Sequence, residues 1–223
     1  MTEHQVPQAQ RTALRRPVAP LLGAVAFLLC YLAVDFATGA VQNGDMPLPN
    51  DPADAIYAYL RDNTTASLLT GILQALSVLG LAVVVAGPVA AIGTRRSVVR
   101  ILGATAVAAM LVSAGLSIAL GLTATTASQD TVLAMREVNF FTGGVVHIVA
   151  LGLFVFLATR AAAWTRPVRV MGWVAGVPAV LSILSVAFFY ASPLLPLGRL
   201  LCMVCLIVAA VSLARGRTPV RAA

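Results

Sequence analysis

Long apolar runs alternate along the chain with short polar connections. Six runs stand out, at 18–37, 66–93, 98–122, 140–159, 169–190 and 197–214. Each is close to the roughly 20 residues that an α-helix needs to cross a hydrocarbon core. The runs are continuously apolar, whereas barrel strands would alternate lipid-facing and lumen-facing residues. The expected fold is all-α: one polytopic transmembrane bundle of about six spans over 18–214, flanked by a polar tail 1–17 and a basic tail 215–223. A cleaved leader is the rival reading of Arg15-Arg16 and the run that follows. That run is long for a leader and five more follow it, so it is taken as the first span.

The connections carry their own signals. In the longest, 38–65, Asn50-Asp51-Pro52 predicts a helix start with Asp51 as N-cap and Pro52 at the first helical position. Ile56, Tyr57, Tyr59 and Leu60 then give a short helix an apolar face, suited to an interfacial lid over the bundle. Asn63-Thr64-Thr65 has the form of a glycosylation sequon and is read as a capping cluster. In the second connection, Ser128 or Asp130 is expected to cap a helix running on into the fourth span, with Arg136, Glu137 and Asn139 at its mouth. Gly87-Pro88, and Gly176 with Pro178, predict kinks in the second and fifth runs.

Composition agrees. The chain is 60% hydrophobic and 10% charged, with a mean hydropathy of +0.93. Soluble domains carry about 25% charged residues. All fifteen basic residues are arginine, as expected of GC-rich, bacterial coding. The net charge of +7 does not point to nucleic acid, because the arginines sit in short loops beside the apolar runs. Their distribution sets an orientation. Twelve fall on the side of the N-terminus and three (Arg61, Arg136 and Arg199) on the other, where most of the acids lie. By the positive-inside rule both termini are expected in the cytoplasm, with the chain in the cell membrane.

Polar groups inside a membrane are costly, and each is a candidate for function. His147 and Arg136 project from one face of the fourth span, which Phe140, Gly143 and Gly144 roughly share. The glycine pair lets a helix or ligand approach closely. This face offers a ligand site or proton relay, and the plainer expectation is a histidine making an interhelical hydrogen bond. Asp35, near the end of the first span, is placed to pair with Arg136 or Arg199 or to reach the headgroups. Arg199 is expected to snorkel to the surface. Gly172 and Gly176 form a GxxxG packing motif, within the bundle or between copies. Cys202 and Cys205 share a helical face at a redox spacing, and Cys30 lies in the first run. No zinc, P-loop or nucleophile-elbow motif is present, and neither a metal nor a cofactor is expected.

Two resemblances follow from these residues. Cys202-Met203-Val204-Cys205 resembles the membrane thiol pair of the vitamin K epoxide reductase family, which implies thiol–quinone exchange. That family also passes electrons through loop cysteines, and this chain has none. The order of features resembles six-span bacterial membrane proteins common in actinobacteria. It comprises a first span, a long loop with a helix near Asp51 to Arg61, and Thr165-Arg166-Pro167-Val168-Arg169-Val170-Met171-Gly172-Trp173 opening the fifth run. That group has no assigned activity to carry over. The expected function is non-enzymatic: binding of a lipid or hydrophobic ligand, or service as a subunit of a membrane assembly. The expected partners are membrane lipids, another copy or another membrane protein, and no nucleic acid. The alternatives are a small transporter using the Arg136–His147 face and the thiol–quinone oxidoreductase.

Overall fold

The computed structural model describes residues 18–48, 51–92, 95–188 and 191–217. The tail 1–17 and residues 218–223 lie outside them. Among the described residues there are helices and no strand. They are α1 (Ala19–Gly39), α2 (Ala53–Asp62), α3 (Thr64–Ala86), α4 (Arg96–Thr123), α5 (Gln129–Asn139), α6 (His147–Thr159), α7 (Arg166–Leu181) and α8 (Leu194–Ala214). A π-helical segment, Phe140–Val146, joins α5 to α6 as one continuous rod. Six helical stretches of 21 to 31 residues are long and apolar enough to span a membrane, and α2 is the short one between the first two. The protein is a polytopic transmembrane bundle.

Local chemistry sets the helix ends. Pro20 and Pro167 occupy first turns, where a missing N–H costs nothing. At Gly87-Pro88 the second span does not kink as expected. α3 stops with Gly87 in an extended conformation, and Pro88–Ala91 forms a separate 3₁₀ turn. Pro178 stays inside α7, which loosens into a 3₁₀ stretch at Ser182–Val186. Ser128 caps α5, its hydroxyl accepting from the Thr131 N–H. Asp51 does not cap α2: Pro52 takes that position, and the Asp51 carboxylate turns back to accept from the Leu48 N–H at 2.7 Å. Asn50 lies outside the described residues.

The spans close into a ring in which α1 packs on α3, α3 on α4, α4 on α6, α6 on α7, α7 on α8, and α8 back on α1. A close crossing joins α1 and α3. A Cβ at Gly80 would lie 2.7 Å from the Phe27 amide nitrogen, and one at Gly23 would lie 2.7 Å from the Gly80 carbonyl oxygen. Beside it the Ser77 hydroxyl donates to the Phe27 carbonyl at 2.6 Å. Gly172 and Gly176 face α6, against Thr159 and Phe156, so their close approach lies within the bundle. The core runs between the helices through Phe27, Leu81, Met110, Phe154, Met203 and Leu206. Leu22, Leu29, Phe36, Ile101 and Leu122 point outward and are mostly exposed, as a lipid-facing surface requires.

Candidate ligand pocket

At the end of the bundle that carries the 38–65 connection, α1, α3, α4, α5 and α8 do not close on one another. They leave a cavity of about 360 Å³. The polar residues of α5 follow its inner face into it: Arg136 and Asn139, then Phe140, Gly143 and Gly144 of the π segment. Gln74 enters from α3, Ser113 and Ser117 from α4, Arg199 from α8, and Asp35 stands exposed at the rim on α1. The face expected on the fourth span thus lines a real cavity as far as Gly144.

The wall between α4 and α5 is a hydrogen-bonded relay. Ser113 donates to Asn139 Oδ1 at 2.5 Å, and Asn139 Nδ2 donates to Ser117 Oγ at 2.8 Å. Gly143 is required here, because a Cβ would strike the Ser113 side chain. Gly144 faces more open space, with Phe140 at 3.8 Å as its nearest neighbour.

α2 closes over the cavity as a lid. Ile56 and Leu60 are buried against Leu120, Ala124 and Val132. The Tyr57 hydroxyl donates to the Ala127 carbonyl, and Gln129 donates to Asp54. Asn63 does not cap α3. Its buried amide accepts from the Asn43 N–H at 2.6 Å and donates to the carbonyls of Asn43 and Tyr59. Tyr59 and Gln42 line the cavity, and the phenol donates to Gln42 Oε1 at 3.3 Å. Burial, with a smaller contribution from Asp45, pushes the Tyr59 phenol above its ordinary value and keeps it protonated as a donor. Arg136 reaches the same loop, donating to the Pro47 carbonyl at 3.4 Å.

Arg199 overturns the expectation of snorkelling. Its side chain is 8% exposed and turns into the bundle. One guanidinium nitrogen donates to the Gly143 carbonyl, and the group lies 5.2 Å over the Tyr31 ring. Its Nε has no hydrogen-bond partner, and no carboxylate among the described residues pairs with it. α8 begins at Leu194, so Arg199 sits more than a turn inside it, on the face that lines the cavity, while Leu197 and Leu200 take outer faces. Asp35 pairs with neither Arg136 nor Arg199.

The other candidates lie deeper. His147 is fully buried, one turn beyond the cavity-lining glycines. Its Nδ1 donates to the Ala106 carbonyl at 2.8 Å, and its ring stands edge-on to Phe27. Nε2 has no partner. His147 does not line the cavity. Cys202 and Cys205 are fully buried in the apolar core, with the Cys202 thiol against the Ala175 carbonyl, and neither is disulfide-bonded. Such surroundings hold a thiol in its unreactive form. Among the described residues no cluster of His, Cys, Asp or Glu has the geometry of a metal site.

Of the candidates from the sequence, Arg136, Gly143, Gly144 and Asp35 lie on the cavity lining, and so do Arg199, Gln74, Asn139, Ser113 and Ser117, which no local signal groups with them. Compared with family models, curated proteins and solved structures, the chain matches none.

Proposed function

We propose that this protein is a non-enzymatic binder of a small amphipathic molecule, held in the lidded cavity at the acidic end of the bundle. The reading rests on one observation: a cavity of drug-like size, walled by hydrogen-bonding side chains, inside a bundle whose core is mostly apolar. Apolar lining from Val34, Leu60, Leu120 and Phe140 beside the polar groups suits a molecule with both characters. The arginine distribution supports an orientation with both termini in the cytoplasm, which opens the cavity toward the outside of a bacterial cell membrane.

Native mass spectrometry of the full chain in a mild detergent tests this reading. The expected result is a defined bound molecule that is lost when Gly144→Leu fills the cavity. A clean apo mass in the wild type, or an adduct untouched by Gly144→Leu, counts against it.

A further inference from the structure

The cavity's charge inventory is unbalanced. Arg136 and Arg199 line it, and the one acid among the described lining residues, Asp35, is an exposed rim residue bonded to neither. Arg199 is more than nine-tenths buried, and its Nε proton is unused. A buried cation without a counter-charge is costly in a low-dielectric interior. The Gly143 carbonyl and Tyr31, through its ring and its hydroxyl, offset only part of that cost, since neither carries a formal negative charge. A second orphan stands in the same cavity: Gln74 Oε1 is buried without a donor. Together they form an incomplete hydrogen-bonding set of one cationic donor and one neutral acceptor.

We propose that Arg199 is the recognition residue for an oxyanion, a phosphate or carboxylate headgroup, while Gln74 Oε1 is left to accept a hydrogen bond from a hydroxyl elsewhere on the same ligand. This rests on the pocket reading above and names the class of its ligand. A guanidinium is built to meet the oxygens of such a group, and with Nη2 on the Gly143 carbonyl the Nε–H is the donor left unpaired. Arg136, nearer the lid, adds a second positive charge along the entry path. A headgroup on an acyl chain and a free inorganic anion share this chemistry.

Titration of the full chain in a nonionic detergent, followed by native mass spectrometry, separates the cases. The probes are dodecyl phosphate, dodecanol, dodecyltrimethylammonium and inorganic phosphate. Dodecyl phosphate is expected to bind one site about ten- to a hundredfold more tightly than dodecanol. Arg199→Gln is expected to abolish that preference, Arg199→Lys to retain part of it, and Gly144→Leu to block binding. Arg199→Lys keeps the charge, so it tells a lost ligand contact from a lost fold, and the wild-type comparison needs no variant. Equal binding of dodecyl phosphate and dodecanol in the wild type, or preference for the ammonium, overturns the oxyanion inference and leaves the pocket reading standing. Binding of inorganic phosphate alone upholds the oxyanion inference and overturns the amphiphile. Binding of none of the four overturns both.

Discussion

At the scale of single residues, Gly143 and Gly144 look alike in the chain and differ in the fold. A side chain at Gly143 collides with Ser113, whose hydroxyl is committed to Asn139, while one at Gly144 meets nothing closer than 3.8 Å. Gly143→Ala is therefore expected to destabilise the bundle by about 1–3 kcal/mol through overpacking. Gly144→Ala should be neutral, or gain up to about 1 kcal/mol from helix propensity. Reversible unfolding in mixed micelles with increasing sodium dodecyl sulfate measures both, and equal losses would contradict the assignment of the contact. Arg199 carries the opposite lesson. A lone arginine at the edge of an apolar run reads as a snorkelling anchor, yet Arg199 takes the cavity face of α8 and is 8% exposed while Leu197 and Leu200 face outward.

At the scale of elements, the lid shows what a polar side chain does when its expected role is taken. Asn63 precedes α3, where a cap is wanted, yet its amide ties Asn43 to the end of α2 through three hydrogen bonds. A buried amide with every bond made is worth most when removed, because its former partners lose theirs. Asn63→Ala is expected to cost about 1–3 kcal/mol locally. It should raise amide hydrogen exchange in α2 and in the loop around Asn43, with α6 to α8 unchanged. Unaltered exchange in α2 would mean that its apolar face alone, through Ile56 and Leu60, holds the lid. The π segment between α5 and α6 sits where the cavity ends. Its wider turn belongs to the same local geometry that presents the Gly143 carbonyl to Arg199.

At the scale of the whole molecule, an even number of crossings returns the chain to the end at which it started. The arginine bias predicts that this end faces the cytoplasm. With Cys30→Ala, Cys202→Ala and Cys205→Ala as background, Asp45→Cys should react with a membrane-impermeant maleimide on intact cells. Gly216→Cys should react only after permeabilisation. The reverse pattern would invert the bundle and turn the cavity to the cytoplasm.

The number of spans, their helical character and the short helix in the first connection were legible in the chain because lipid imposes a one-dimensional rule. A segment that crosses must be apolar for about 20 residues and must satisfy its own backbone. Capping by Ser128 was legible for the same local reason, since the partners lie within one turn. The cavity was not. Arg199, Gln74, Ser113, Ser117 and Asn139 come from four helices, and nothing local says that their faces converge. Reciprocal contacts such as Gly23 on Gly80, and Gly143 on Ser113, decide which helix faces meet and at what distance. Those contacts are long-range packing choices among many small residues of similar hydropathy. The chain alone therefore determined what crosses the membrane, and only the tertiary structure decided which polar groups meet inside it.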